Sequence, residues 1–261
     1  MMLWWRSLWS VIGETWSNTP GAVKTIIVAG VGTIVGAWIS SRSQTKRRVI
    51  DELRAIGAAR ALCFSITNRA IGLKRQHVVP LKQRFDQAVA TFQKHKGGVL
   101  EILLDMNDLA QVKFPDNVLE RVIFEKCNVG TRAMALTVTL SAAIEDLKNA
   151  IDYRKKLVSD FREINNSLTD RERIEVYVGA RRAGQTDVRF ADNIKALHVL
   201  TDDCIFFSMA LTDELVLYGN KLRSRNRFKF RLGIPKFLPA DWSAVKHLPP
   251  CVRVFRLEYK L

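Results

Sequence analysis

Residues 21–79 contain no proline, so nothing in this stretch forbids one continuous helix. Its second half places apolar or small side chains at steps of three and four residues, which is the spacing of a helix that packs along one face. These side chains are Leu53, Ile56, Ala59, Cys63, Ile66, Ala70 and Leu73. The pattern predicts a long helix that begins near Gly21 and contributes to a helical bundle.

Similar stripes predict the rest of that bundle. Pro80 predicts a kink or a break, followed by a shorter helix to about Lys96. Two further long helices are predicted, one over residues 131–168 and one from about Thr186 onward. Their stripes are Ile144, Leu147, Ile151, Val158, Phe161 and Leu168, then Phe190, Ile194, Leu197, Thr201, Cys204, Ser208, Leu211, Leu215, Tyr218 and Leu222. The predicted fold class is mainly α, with an elongated helical bundle over residues 42–226.

The period changes in the last part of the chain. Residues 227–234 and residues 254–261 alternate apolar and charged side chains, which is typical of strands. A loop with several prolines separates the two runs. We therefore predict that residues 227–261 form a basic tail with a small two-stranded β element.

The uncharged run at residues 25–39 has two interpretations. As a membrane segment, it is an apolar helix that reaches spanning length if residues 21–41 all take part. As a cofactor site, it is a strand followed by a turn with Gly30, Gly32 and Gly36 at a dinucleotide-binding spacing. The cofactor site also requires a second strand that ends near an acidic residue, and the chain after residue 41 is polar and basic instead. We predict a transmembrane helix at residues 21–41 and keep an NAD(P)-binding oxidoreductase as the third hypothesis.

The flanks of this run predict an orientation. Residues 1–20 form a Trp-rich segment of interfacial pattern, and the predicted interfacial anchors are Trp4, Trp5, Trp9, Trp16 and Trp38. Cations are concentrated after the run, which places the N-terminus outside and the C-terminal part in the cytoplasm. Four cysteines without C-x-x-C spacing suit a reducing compartment. The predicted location is therefore a plasma or inner membrane, crossed once.

Small side chains form a stripe within the same run. Thr25, Ala29, Gly32, Gly36 and Ser40 lie three or four residues apart, so that two helix backbones can approach closely along this face. The stripe predicts helix packing and a homo-oligomer.

A net charge of +15 predicts contact with polyanions. The first cationic group follows the apolar run and the second lies in the tail, where phenylalanines are interleaved with it. The predicted contact residues are Arg42, Lys46, Arg47 and Arg48, then Arg227, Lys229 and Arg231. Anionic lipid is the predicted partner, and nucleic acid is the less favoured alternative.

Motifs for catalysis are missing from the sequence. It contains no H-E-x-x-H, G-x-S-x-G or G-x-x-x-x-G-K-[ST] pattern, so we predict no catalytic residue, cofactor or enzymatic activity. His198 and Asp202 have the i, i+4 spacing of two metal ligands, but a third ligand is missing and no metal site is predicted. The predicted function is a membrane-anchored helical module that binds an unidentified protein partner or transmits a signal. The alternative is a membrane-perturbing effector that forms a pore or lesion when its cytoplasmic module is triggered.

Overall fold

The computed structural model describes residues 20–94, 102, 104–182, 185–230, 236–239 and 241–242. The chain divides into two compact units, Met1–Asp51 and Glu52–Leu261. The described residues are mainly helical and the second unit has a continuous apolar core, which confirms the predicted helical bundle.

Helix α1 spans Gly21–Leu73 without a break. It begins directly after Pro20, and the amide of Val23 donates to the Pro20 carbonyl at 3.0 Å. Gly30, Gly32 and Gly36 lie inside this helix, so the strand and the glycine turn of a dinucleotide site do not form there.

The predicted membrane span is wrong. Among the residues that the structure describes, no helix is long and apolar enough to cross a membrane. The uncharged run covers only residues 25–39, about 22 Å of helix against a bilayer core of about 30 Å. Glycine and threonine within the run lower its hydropathy further. The prediction of a transmembrane helix at 21–41 is therefore wrong. The predicted single-pass location, with an outer N-terminus and a cytoplasmic C-terminal part, is wrong as well.

The helical path continues past Leu73 in a wider form. Residues Lys74–Val78 form a π-helical turn, and helix α2 follows at Val79–Lys94. Pro80 has no amide hydrogen for the carbonyl four residues earlier, and its ring crowds that carbonyl. A wider turn accommodates both effects. Pro80 therefore does not end the helical path, and a π-helical turn comes just before it.

The next helices are α3 at Asp116–Lys126 and α4 at Thr131–Asn165. Residues 104–115, before α3, have no regular secondary structure. Helix α5 follows at Asp170–Val178 and has a capping box, in which the side chains of Thr169 and Glu172 each accept a bond from the other residue's amide.

Helix α5 ends at Gly179, which has a left-handed φ of 74°. Two short strands then pair antiparallel, β1 at Arg181–Arg182 and β2 at Gln185–Thr186. Helix α6 spans Arg189–Phe230 and packs most extensively against α4.

The predicted apolar stripes form the core of the second unit. All seven residues of the α1 stripe are buried. The same is true of the α4 stripe up to Phe161 and of the α6 stripe up to Leu215. Leu168, Tyr218 and Leu222 are partly exposed. Periodicity therefore identified the packed faces of all three long helices.

The predicted β tail is wrong at its first strand. Helix α6 continues to Phe230, so residues 227–230 are helical. A strand would place Phe228 and Phe230 on one face, whereas Phe228 is 89% exposed and Phe230 only 4% exposed, as helical geometry requires. The described residues at 236–239 and 241–242 are irregular. The second predicted strand, residues 254–261, lies outside the described residues.

Candidate interaction surfaces

The first unit presents an apolar helical surface. Seven large apolar side chains are 42–71% exposed there: Val23, Val28, Val31, Ile34, Val35, Trp38 and Ile39. Large exposed apolar patches in proteins mark sites of association. The surface is uncharged over residues 25–39.

The predicted small-residue stripe lies on this surface. Thr25, Ala29, Gly32, Gly36 and Ser40 are all exposed. A Cβ added at Gly32 or Gly36 would meet no atom within 4 Å. The Thr25 hydroxyl donates to the Gly21 carbonyl at 3.0 Å, so this side chain satisfies its donor within its own helix. The stripe is therefore open to a partner, and the Thr25 hydroxyl does not require an acceptor from that partner.

Cations follow the apolar surface along the same helix. Arg42, Lys46, Arg47 and Arg48 are exposed. The Arg42 guanidinium lies 5.4 Å from the centre of the Trp38 ring, a cation–π contact that joins the basic and apolar parts of the surface.

A second basic surface lies at the end of α6. Lys221, Arg225 and Arg227 are exposed, and the Arg227 guanidinium lies 5.8 Å from the centre of the exposed Phe228 ring. Because this segment is a helix, cations two residues apart in sequence point to different sides of it. Lys221 and Arg225 share one face, and Arg227 lies on another.

Several predicted contact residues are not described in full. The side chain of Lys229 is not described, and Arg231 lies outside the described residues, as do Trp4, Trp5, Trp9 and Trp16. Their predicted roles in polyanion and interfacial contact stay predictions.

The possible metal pair is engaged in an ion pair. The ammonium of Lys74, a buried residue of the π-helical turn, donates to Asp202. His198 Nδ1 lies 3.7 Å from the other carboxylate oxygen of Asp202. Burial and the charge of Asp202 raise the pKa of Asp203. Within the described part of the chain, no three His, Cys, Asp or Glu side chains are grouped to hold a metal.

A second buried cation ties an irregular segment to α4. Arg154 is fully buried, and its Nη2 donates to the Asp105 carbonyl at 2.8 Å. Burial lowers the pKa of Arg154, while the nearby Tyr177 and the Asp105 carboxylate oppose that shift. The Asp105 carboxylate is held by Arg84 at 2.8 Å. Arg162 donates to the next carbonyl, that of Met106, at 2.9 Å. These bonds hold Asp105 and Met106 of the irregular segment against α2 and α4, which is a structural role.

Sequence reasoning missed one set of contacts near the chain's end. The side chain of Asn220 holds the backbone of Phe237, and Arg60 holds the carbonyl of Leu238. The sequence offered one signal, because Gly219 interrupts the helical pattern of α6 and glycine disfavours a helix interior.

Fold and surfaces together define a mainly α bundle with an exposed apolar helical segment and two exposed basic surfaces. The chain matches no model of a known protein family, no curated protein and no solved structure. These surfaces are therefore the features of the molecule that indicate its function.

Proposed function

We propose that the protein is a helical interaction module without catalytic activity, and that copies of it associate through the apolar surface of the first unit. The observation that carries this proposal is the exposure of seven large apolar side chains between Val23 and Ile39. Completing the burial of a half-exposed apolar side chain stabilises by about 1 kcal/mol. The three that flank the small-residue stripe, Val28, Val35 and Ile39, can together supply about 3 kcal/mol to an association. The other four, Val23, Val31, Ile34 and Trp38, lie on the opposite face of the helix.

A second copy of the same segment is the partner that this surface fits. The segment is uncharged, so it needs an apolar partner and offers no charge pattern to a polar one. The stripe through Gly32 and Gly36 lets a second helix approach closely. Val28, Val35 and Ile39 flank that stripe on one side at helical spacing, so they would pack beside the contact. An antiparallel pair keeps the two groups of cations at opposite ends, where they do not repel each other.

The exposed cations support a second role within the same module. Arg42, Lys46, Arg47 and Arg48 lie next to the association surface, and α6 ends with further exposed cations. We propose that these groups bind the phosphates of a polyanion. Each exposed cation adds a modest attraction that salt screens over about 8 to 10 Å.

The association is tested by sedimentation of the full chain over a range of concentrations. Gly32→Ile/Gly36→Ile adds bulk where the backbones meet, and we expect the dissociation constant of the oligomer to rise at least tenfold. Gly30→Ile is the matched control, because it makes the same change outside the stripe at a position that is equally open. A wild-type chain that stays monomeric throughout, or equal effects of the two variants, would refute the proposal.

A further inference from the structure

Phe237, Leu238 and Trp242 of the sequence "FLPADW" contact α1 and α6. The Asn220 side chain pairs with the backbone of Phe237 in both directions. Its Nδ2 donates to the Phe237 carbonyl at 2.9 Å, and the Phe237 amide donates to its Oδ1 at 3.0 Å. This pairing uses only the backbone of Phe237 and does not depend on which side chain the residue carries.

The ring of Phe237 occupies a slot between two glycines on neighbouring helices. A Cβ at Gly219 of α6 would lie 2.8 Å from two ring carbons of Phe237 and 3.2 Å from the Ile56 side chain. A Cβ at Gly57 of α1 would lie 3.8 Å from the same ring. The absence of a side chain at Gly219 therefore creates the space that the ring fills.

A second aromatic contact lies further along the segment. The Trp242 ring packs on Phe64 with ring centres 5.0 Å apart, and Trp242 is only 3% exposed. Between the two aromatic residues, Arg60 Nη2 donates to the Leu238 carbonyl at 2.7 Å. The Arg60 guanidinium also lies over the Phe64 ring at 5.2 Å. The Leu238 side chain is 69% exposed, so at this residue the helices contact the backbone.

These contacts share two features with sites for extended peptides. In such sites, bonds to the main chain hold the peptide and pockets for selected side chains give specificity. Pro239 restricts the backbone of the segment, which lowers the entropy lost on docking.

We infer that the α1–α6 groove, formed by Gly57, Arg60, Phe64, Gly219 and Asn220, is a docking site for an extended peptide with two aromatic residues five positions apart. Its ligand in the same chain is residues 237–242. The same segment of a second copy is the ligand that the groove accepts in trans. The groove lies in the unit Glu52–Leu261, so it is independent of the association proposed for residues 25–39.

The test uses the full chain and a fluorescent synthetic peptide of residues 235–243. The variant Phe237→Ala/Trp242→Ala removes both anchors of the internal segment and vacates the groove. We expect saturable peptide binding at least tenfold tighter than to the wild-type chain, where the internal segment competes at an effective concentration on the order of millimolar. Adding Asn220→Ala should weaken this binding at least tenfold. A peptide with both aromatic residues replaced by alanine should not bind.

Failure of the peptide to bind the vacated variant, with its helical circular dichroism unchanged, would overturn the inference. Equal binding with and without Asn220→Ala would overturn it as well. If the vacated variant does not fold, the wild-type chain is treated with excess peptide that carries a photoreactive phenylalanine analogue at the position of Phe237. Adducts on the proteolytic fragments that contain Gly57 or Gly219 are expected, and adducts elsewhere or none would contradict the groove.

Discussion

Alanine at Gly57 and alanine at Gly219 should have opposite effects on stability, although both replace a helical glycine that faces Phe237. In a helix, alanine is favoured over glycine by about 1 kcal/mol. At Gly57 the new Cβ lies 3.8 Å from the ring of Phe237, an ordinary contact distance. We therefore expect Gly57→Ala to raise the free energy of unfolding by roughly 0.5 to 1 kcal/mol.

At Gly219 the same gain in helix propensity is opposed by a clash. The new Cβ would lie 2.8 Å from Phe237 and 3.2 Å from Ile56, so the ring must leave its slot. Truncation of a fully buried phenylalanine costs about 3 to 5 kcal/mol, and Phe237 is half-buried, so displacing it should cost roughly 2 kcal/mol. The net expectation is a loss of about 1 kcal/mol.

A double-mutant cycle with Phe237→Ala isolates the clash. Without the ring, only the 3.2 Å contact with Ile56 remains, so Gly219→Ala should stabilise the protein by no more than Gly57→Ala does. The coupling between positions 219 and 237 is then up to about 2 kcal/mol. Urea unfolding followed by circular dichroism at 222 nm measures all the variants. If Gly219→Ala stabilises the wild-type chain by as much as Gly57→Ala does, the ring does not occupy this slot.

Three further predictions concern other parts of the molecule. Gly179→Ala should lower the free energy of unfolding by at least about 1 to 2 kcal/mol, because φ is positive at this residue and the new Cβ would lie 2.8 Å from the Asp187 carbonyl oxygen. Urea unfolding of this variant that matches the wild type would refute the prediction. Burial raises the pKa of Cys63 and Cys204 to about 12, above the usual value of 9.0, so the stability from these neutral thiols is fully present below pH 9 and is lost as pH rises toward 12. Cys63→Ala should therefore lose less stability between pH 8 and pH 10.5 than the wild type. The difference should grow by up to about 1.4 kcal/mol per pH unit above pH 9. Parallel pH profiles of stability for the two proteins would contradict the raised pKa of Cys63. Arg225→Glu/Arg227→Glu should elute from a sulfated polysaccharide column at lower salt than Lys82→Glu/Arg171→Glu. The second variant changes net charge equally, at two cations already paired with Asp86 and Glu175. Equal elution would mean that total charge alone governs binding.

The bundle could be predicted because its signals are local. The stripe from Leu53 to Leu73 repeats at helical spacing within one segment, and burial of such a stripe requires only that another helix is available. The same reasoning failed at the end of α6. Alternation of apolar and charged side chains over residues 227–234 is a weaker constraint than extension of a helix that is already about forty residues long. Phe230, the last residue of α6, is only 4% exposed, and its burial favours the helical turn.

The groove could not be predicted because its contacts join distant parts of the chain. Arg60 and Leu238 are 178 residues apart, and no period or motif relates them. The two glycines that form the slot differ from other helical glycines only in what faces them. Gly30, Gly32 and Gly36 have nothing within 4 Å of an added Cβ, whereas Gly219 has a ring at 2.8 Å. The sequence identifies these glycines, but it does not show which side chain packs against each of them.

Pro80 and the His198–Asp202 spacing were separate features of the sequence, and the structure relates both of them to the ion pair between Lys74 and Asp202. Pro80 cannot supply the amide for a regular turn, and the helix widens to a π-helical turn over Lys74–Val78, in which Lys74 is buried. A buried ammonium is costly unless it is paired, so it requires a carboxylate from the facing helix. Asp202 supplies that carboxylate, and its other oxygen faces His198 on the same helix. Pro80, where a kink or a break was predicted, lies next to the turn that holds Lys74 against α6, and Asp202 is the partner that this lysine requires.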